Sequence, residues 1–320
     1  MKNTCIRQPR ADEADTLKQI WKTVFDDGDE YGFFDYYFDP ELSAVVTQRG
    51  FPVAAGYLIP YGSINSGELS VPCAMIYAVA TLPEYRNLGY GAAVVNDLLS
   101  SAYCLGYPAV AICPSNDGLF EYYSSHTGFC ARSYIFYINE RTYVNKPAAD
   151  PAVRLVDISP HDYGLIRKNL LKGVAHIEPN VRALAYQELL CHELGGGLFS
   201  VDTPGGIACA VVERQYNGYI WIKEMLVPDG FEHDVTSAVM TAFPAAEYVV
   251  RTPSCRLISQ LVKQIESNNP AQGDTPGLYH SHVDDTNFGI KRFAMLTGTE
   301  TLLNDIIASN IPLWFGLAFD

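Results

Sequence analysis

The sequence predicts an α/β protein with mixed sheets, arranged as two tandem domains of similar architecture. The chain has 320 residues, and a domain of average size has roughly 100–200. Each half has a pattern of helices, then a meander of strands, then a helix and one more strand. The segment Lys146-Pro-Ala-Ala-Asp-Pro-Ala152 has the composition of a linker. We therefore predict domains at 1–145 and 152–320.

The elements of the first half follow from the spacing of apolar residues. A helix is predicted at 11–25, where Leu17, Ile20 and Trp21 share one stripe. The run at 43–61 turns at Gly50 and predicts a hairpin, and the almost entirely apolar run at 71–81 predicts a strand buried on both faces. The remaining predictions are strands at 4–7, 109–113 and 131–139 and helices at 91–105 and 117–125.

The second half repeats this order without a repeat of sequence. We predict a strand at 153–158, then helix over 161–194 with a break at Pro179, and then a three-stranded meander at 197–201, 206–213 and 219–227. A helix at 235–242 and a strand at 247–251 follow. The run His280-Ser-His-Val-Asp-Asp285 resembles part of a metallo-hydrolase motif but lacks its last histidine, so we interpret it as a surface loop and predict no metal site.

Composition limits the possible partners. The net charge of -14 disfavours nucleic acid and anionic membrane surfaces, although many soluble proteins are simply acidic. The eight cysteines form no CxxC pair, and most lie in apolar runs, which is typical of buried thiols in a reducing compartment. With neither a signal sequence nor a long apolar run, we predict a cytoplasmic protein. The sequence leaves open whether the protein forms a homo-oligomer.

One strand–loop–helix stands out, from Val79 to Ala93. Gly89 and Gly91 lack a Cβ, so their backbone N–H groups can approach a bulky anion. The helix that begins here exposes unsatisfied N–H groups and the positive end of its dipole, and Arg86 adds a charge. Two glycines at a helix start are weak evidence alone, but the arrangement suits a pyrophosphate.

The run Val79-Ala-Thr-Leu-Pro-Glu-Tyr-Arg-Asn-Leu-Gly-Tyr-Gly91 resembles the acetyl-CoA signature of the GCN5-related N-acetyltransferases, the GNAT family. The diagnostic positions are Pro83, Arg86, Gly89 and Gly91. The resemblance implies that acetyl-CoA is the co-substrate and that backbone groups of the preceding strand pair with its pantetheine. The residues implied to bind it are Val79, Ala80, Thr81, Arg86, Asn87, Leu88, Gly89, Tyr90, Gly91, Ala92 and Asn116.

A second part of the resemblance lies further along the chain. The family commonly carries Asn, then Tyr seven residues later, then Gly-Phe, as in Asn116, Tyr123 and Gly128-Phe129. The resemblance implies that a tyrosine protonates the departing thiolate. Four residues separate Tyr123 from Gly128, where the family usually has three, so Tyr122 is an alternative; the spacing from Asn116 favours Tyr123.

The acceptor groove of this family usually involves the segment between the first two helices. Here that segment, 26–41, holds seven carboxylates, six aromatic residues and no Lys or Arg. Such a surface would attract a cationic amine by charge and by cation–π contacts. The alternative is a solvated acidic loop followed by an amphipathic helix whose aromatic residues form core. The candidate substrate-binding residues are Asp26, Asp27, Glu30, Tyr31, Phe34 and Tyr37.

The corresponding loop of the second half, 225–234, has no Arg and no Gly-x-Gly, and Glu232 and Asp234 would repel a phosphate. One intact and one degenerate unit resemble the Eis-type acetyltransferases, here without their third domain. That resemblance implies that the C-terminal carboxylate, on Asp320, reaches the active site as a base. The predicted function is transfer of acetyl from acetyl-CoA to a primary amine of a small molecule or peptide. The alternatives are a non-catalytic acyl-CoA-binding regulator and an aminoacyl-tRNA-dependent or long-chain acyltransferase.

Overall fold

The computed structural model describes residues 4–25, 32–130, 133–143, 153–215, 217–253, 285–299, 301, 304, 313–317 and 319. Its helices are α1 (Ala14–Phe25), α2 (Phe33–Tyr36), α3 (Tyr90–Cys104), α4 (Asp117–His126), α5 (Pro160–Leu170), α6 (Val181–Glu193) and α7 (Glu232–Ala242). Its strands are β1 (Thr4–Arg7), β2 (Ser43–Gln48), β3 (Phe51–Ser66), β4 (Leu69–Thr81), β5 (Ala109–Ile112), β6 (Ser133–Tyr143), β7 (Leu155–Asp157), β8 (His176–Pro179), β9 (Gly197–Thr203), β10 (Gly206–Arg214), β11 (Ile220–Leu226), β12 (Tyr248–Arg251) and β13 (Asp285–Gly298).

The predicted mixed α/β class is confirmed, and the strands join in one sheet. Their order is β1-β2-β3-β4-β5-β13-β6-β12-β11-β10-β9-β7, with β8 paired to β3. Most neighbours are antiparallel, whereas β4 with β5 and β11 with β12 are parallel. Strands from both sides of the predicted linker therefore interleave, because β13 lies between β5 and β6. The linker itself falls outside the described residues, and the boundary stays a prediction.

One sequence-based prediction in the second half is wrong, and another is tested only at its last residue. The span 161–194 is not one broken helix, because β8 separates α5 from α6 and pairs with β3 of the first half. Gly62 permits that pairing, since a Cβ there would lie 1.9 Å from the carbonyl oxygen of Glu178. The predicted loop at His280–Asp285 ends in β13, whose first residue is Asp285, and residues 280–284 lie outside the described part. Long-range pairing, which local patterns do not encode, decides the first case, and the loop at 280–284 stays a prediction.

The apolar residues of the sheet form separate cores on its faces. Helices α3 and α4 pack through Val94, Leu98 and Phe120 on one face of the first half. Helix α1 packs on the opposite face through Leu17 and Trp21, in a core that continues into α5 and α6 of the second half. The first half and the second half thus share this core, and helices pack on both faces of the first-half sheet.

A buried polar cluster, hereafter the Arg167 network, lies in that shared core. The Arg167 guanidinium forms a bidentate pair with Glu224 at 2.8 and 3.0 Å, and it donates to Glu178 at 2.9 Å. His176 lies 3.0 Å from the same Glu178 oxygen. Two further donors, the Tyr163 hydroxyl and the Trp314 indole N–H, reach Glu224 at 2.8 and 2.6 Å. Burial of these charges is tolerated because each finds a partner.

Lowering the pH is expected to destabilise the fold through Glu178. Burial by itself would raise the pKa of this carboxyl, but His176 and Arg167 outweigh it and hold the pKa below its ordinary value of 4.5. The unfolded chain then takes up the proton first, so this contribution is present above the ordinary pKa and is lost as the pH falls through the lowered one. Urea unfolding between about pH 6 and about pH 3 should show a shallower pH slope for Glu178→Gln than for wild type. Equal slopes would contradict this assignment.

Candidate active site

The predicted coenzyme strand contains a β-bulge. Ala80 of β4 pairs with Ala55 and Tyr77 pairs with Tyr57, so Ala78 and Val79 together face the single residue Gly56 of β3. Ala78 has a φ of 48°, a left-handed conformation that few residues other than glycine adopt. Such bulges redirect backbone groups and often occur beside active sites. Val79–Thr81, the predicted pantetheine-pairing residues, thus lie at and just after the bulge.

Gly56 allows a helix to approach the bulge closely. A Cβ on Gly56 would lie 2.7 Å from Cγ1 of Val94 on α3, a separation that real Cβ atoms do not show. The absence of a side chain therefore brings the start of α3 against the bulged part of β4. A larger residue at this position would push α3, with its N-terminus, away from the strand.

Strands β4 and β5 separate just before the bulge. Their parallel ladder runs from Cys73–Ala109 to Ile76–Ile112 and joins no later pair of the two strands. Pro114 lies two residues beyond Ile112 and has no N–H to donate, which favours the end of β5 here. Among the described residues, no strand pairs with this edge of β4 beyond Ile76, so another extended group could pair with it.

The loop that follows β4 leads into the N-terminus of α3. Asn87 and Gly89 have φ angles of 61° and 78°, and Gly89 is the N-cap. A glycine has no side chain with which to cap the helix, so the N–H groups of Tyr90 and Gly91 can serve an external acceptor. Arg86 is exposed, and its Nε donates to the carbonyl of Thr81 at 3.3 Å. Leu88 is half exposed on the same loop.

The two candidate tyrosines occupy different environments on α4. The Tyr122 hydroxyl accepts a hydrogen bond from the N–H of Ala92 in the first turn of α3, at 2.9 Å. A Cβ on Gly91 would lie only 3.3 Å from this hydroxyl. Tyr123 is instead 6% exposed in the core under α3, and burial raises the pKa of its hydroxyl well above the ordinary value. The geometry thus favours Tyr122 as the tyrosine at the loop, although the spacing from Asn116 favoured Tyr123.

Asn116 has a structural role in addition to the coenzyme contact that the family resemblance implies. Its side chain accepts from the N–H of Leu119 at 3.0 Å and caps α4. Because α4 carries Tyr122, this cap orients the tyrosine relative to the loop. Contact of Asn116 with a coenzyme stays a prediction.

Of the described aromatic residues of the predicted acceptor segment, Phe33, Phe34 and Tyr37 lie in the core, and Tyr36 and Phe38 are partly buried against it. Phe34 and Tyr37 are 7% and 6% exposed. Phe33 stacks on Trp21 with ring centroids 4.9 Å apart, and Arg182 of α6 lies 4.7 Å from the Tyr37 ring centroid. This burial agrees with the alternative of an amphipathic helix that uses its aromatic residues as core. Asp26, Asp27, Glu30 and Tyr31 lie outside the described residues, so their predicted role is not tested.

The C-terminal segment reaches the opposite face of the same strand. Phe319 is 7% exposed, and its ring centroid lies 5.8 Å from that of Tyr77, the residue just before the bulge. The docking of this apolar segment agrees with its composition. Asp320 lies outside the described residues, and its role as a base stays a prediction.

The second half has a comparable strand with a different loop. Strand β11 shifts register at Lys223 opposite β10, and its parallel ladder with β12 ends at Ile222. Helix α7 has Glu232 and Asp234 in its first turn, where they disfavour a phosphate. Phe231, the N-cap, packs tightly on the β9–β10 turn, because a Cβ on Gly205 would lie 2.3 Å from its ring. The absence of a coenzyme loop from the second half stays a prediction.

Sequence reasoning missed the Arg167 network. A usable signal was present, because Lys223 and Glu224 interrupt an otherwise apolar strand.

Among the described residues, Asp157, Glu188 and His192 also hold ligand-type atoms within 4.8 Å of one another, at the surface. No described helix has the length and apolar character needed to span a bilayer.

Comparison with known proteins agrees with this geometry. The family model for the acetyltransferase (GNAT) domain matches residues 5–125. No curated protein sequence matches significantly. Similar solved structures include a GCN5-related N-acetyltransferase from Kribbella flavida, which is 14% identical with a TM-score of 0.62, over 92% of this chain and 71% of that one.

Two more structures are similar at the same identity. A probable N-acyltransferase from Enterococcus faecalis is 14% identical, with a TM-score of 0.62 over 94% of this chain and 73% of that one. Eis1 from Mycobacterium abscessus is also 14% identical, with a TM-score of 0.55 over 93% and 74%. At this identity the likeness shows the fold. The N-terminal part of this chain is therefore an acetyltransferase domain of the GNAT family, within a chain whose fold is similar to that of Eis and other GNAT proteins.

Proposed function

We propose that this protein is an N-acetyltransferase that binds acetyl-CoA between β4 and β5 and transfers the acetyl group directly to a primary amine. The main support is one juxtaposition: the β4 bulge, the N-terminus of α3 with its glycine N-cap, and the Tyr122 hydroxyl lie beside the point where β4 and β5 separate. The gap suits an extended pantetheine, and the helix N-terminus suits its pyrophosphate. Membership of the GNAT family implies acyl transfer; the donor, acceptor and roles below are proposals.

Backbone groups would carry much of the binding and part of the catalysis. The β5-facing edge of Val79–Thr81 would hold the pantetheine as an added strand. An N–H group of this segment would also stabilise the negative charge that develops on the thioester oxygen during attack. The N–H groups of Asn87–Gly91, with Arg86, would bind the pyrophosphate. The predicted contact of the Ala92 N–H is not part of this proposal, because that group donates to Tyr122.

Tyr122 would supply the proton for the departing thiolate. Its oxygen accepts from Ala92, so its own hydrogen stays free to be donated. The amine must attack in its neutral form, and the carboxylate of Asp320 is our candidate for the group that removes its proton. The acceptor would enter from the face of β4 that carries Tyr77 and Phe319, opposite the face covered by α3. A cationic small molecule or a peptide amine is the proposed acceptor class, consistent with the net charge of -14.

Tyr122→Phe is expected to lower kcat about 100-fold, since a positioned proton donor is typically worth ~10²–10⁴ in rate. Tyr123→Phe is the matched control. It also removes one hydroxyl oxygen, but from the neighbouring tyrosine, whose side chain is buried in the core. We expect that control to retain kcat within about threefold. The measurement is release of coenzyme A against a panel of amines, with the thermal shift by acetyl-CoA recorded for both variants.

The outcomes of that assay separate the hypotheses. If Tyr123→Phe lost activity and Tyr122→Phe kept it, the assignment of the two tyrosines would be reversed. Binding of acetyl-CoA by wild type without turnover of any amine would instead support a non-catalytic acyl-CoA-binding regulator. The absence of any thermal shift by millimolar acetyl-CoA would contradict the proposed function itself.

A further inference from the structure

Residues 313–317 and 319, hereafter the tail, connect the second half to the proposed acyl site. At one end, the N–H of Trp314 donates to the carbonyl of Ala175 at 2.7 Å, and the N–H of Ile177 donates to the carbonyl of Trp314 at 2.8 Å. Trp314 thereby forms a parallel bridge with His176 beside β8. Since β8 pairs with β3, the tail is attached by its backbone to the sheet that contains the β4 bulge.

The other end of the tail forms a wall beside β4. The Tyr61 hydroxyl donates to the carbonyl of Leu317, and the ring centroids of Tyr61 and Phe319 are 5.5 Å apart. Phe319 also contacts Tyr77, whose successor Ala78 begins the bulge. A shift of the tail would therefore change the surface that an acceptor meets as it approaches the thioester from this face.

One side chain of the second half holds the tail through a directed hydrogen bond. The indole N–H of Trp314 donates to Oε1 of Glu224 at 2.6 Å, and both residues are almost completely buried. Arg167 fixes the Glu224 carboxylate by two contacts and Tyr163 by a third. A charge-assisted bond with a pre-oriented acceptor constrains the Trp314 ring and the chain that follows it.

Glu224 lies at the position in the second half that corresponds to the proposed acetyl-CoA gap of the first half. It follows the register shift of β11 at Lys223, next to the point where the β11–β12 ladder ends. In the first half, the corresponding point between β4 and β5 is the gap that we assign to acetyl-CoA. The second half has acidic residues at α7 where a pyrophosphate would need positive charge. At the same place in its sheet it instead presents a carboxylate to the tail.

We infer that Glu224 is a positioning residue for the acyl transfer: acting through Trp314, it sets the tail against β4 and so shapes the acceptor side of the site. This inference rests on the proposed function. It assigns the second half a task other than coenzyme binding, namely to hold the wall that orients the amine. An effect on the amine is then expected, with none on acetyl-CoA.

The test compares Trp314→Phe with Tyr163→Phe. Each variant removes one donor to Glu224 from a fully buried aromatic residue, but only Trp314 belongs to the tail. For Trp314→Phe we expect kcat/KM for the amine to fall at least tenfold, with the KM for acetyl-CoA and its thermal shift unchanged. Tyr163→Phe should stay within about threefold of wild type in all three measurements. Equal losses in both variants, or no loss in Trp314→Phe, would overturn the inference.

Hydrogen exchange of the tail gives a readout that does not depend on activity. The peptide that covers residues 313–317 should exchange faster in Trp314→Phe than in wild type or Tyr163→Phe. Unchanged protection would overturn the anchoring even if activity fell. If wild type bound acetyl-CoA but turned over no amine, the proposed function would fail. The exchange experiment would still test the anchoring: faster exchange in Trp314→Phe would support it, and unchanged exchange would overturn it. If Trp314→Phe did not fold, Tyr61→Phe, which removes only the hydroxyl bonded to Leu317, would test the effect of the tail on the amine. Exchange of residues 313–317 in Glu224→Gln, which weakens the acceptor of the Trp314 indole N–H, would then test the anchor.

Discussion

Arg86→Glu is expected to weaken acetyl-CoA binding about 100-fold while leaving the fold intact. The side chain is exposed and makes a long hydrogen bond to the carbonyl of Thr81, so little stability depends on it. The substitution changes the charge beside the proposed pyrophosphate site by two units. A pair of unit charges 4 Å apart interacts with about 1 kcal/mol even in water, so reversal against two phosphate charges reaches about 2–3 kcal/mol after screening.

The measurement is a titration of acetyl-CoA by calorimetry at two salt concentrations. The difference between variant and wild type should shrink at high salt, because exposed charges are screened. Arg154→Glu is the matched control: it makes the same change of charge at another exposed arginine, in the second half. We expect the control to bind acetyl-CoA within about twofold of wild type. If both variants lost affinity equally, net charge rather than the loop would be responsible.

Glu224→Ala is expected to be the most destabilising single substitution proposed for this chain, at about 3–5 kcal/mol. Arg167 is completely buried and would keep only Glu178 as a charged partner, while Tyr163 and Trp314 would lose their acceptor. Removing one partner of a buried ion pair leaves the other charge without compensation in a region of low dielectric constant. The cavity left by the side chain adds to that cost.

Urea unfolding followed by circular dichroism measures this loss. Glu68→Ala, in an exposed turn, is the control for removal of a glutamate and should stay within about 0.5 kcal/mol of wild type. The double variant Arg167→Met with Glu224→Ala should recover part of the stability, because it removes the buried Arg167 guanidinium that the single variant leaves undercompensated. A Glu224→Ala protein as stable as the Glu68→Ala control would show that the ion pair does not stabilise the fold.

The sequence alone predicted the parts of this protein that depend on local patterns. Apolar spacing predicted strand β1, helices α1 and α3 and the β9–β11 meander, because a helix or strand that buries one face must repeat its apolar residues at a fixed period. The coenzyme loop was recognisable because its residues are adjacent in the chain, and each glycine or arginine serves the same local turn.

Only the tertiary structure decided which groups from distant segments meet. Tyr122 and Tyr123 are neighbours in sequence, but the packing of α4 against α3 turns one hydroxyl to Ala92 and buries the other. The bulge at Ala78 results from register with β3, and the β5–β13–β6 order joins residues far apart in the chain. The Arg167 network likewise gathers β8, β11, α5 and the tail. Pairing between distant strands depends on the free energy of the whole core, which no local period of the sequence encodes.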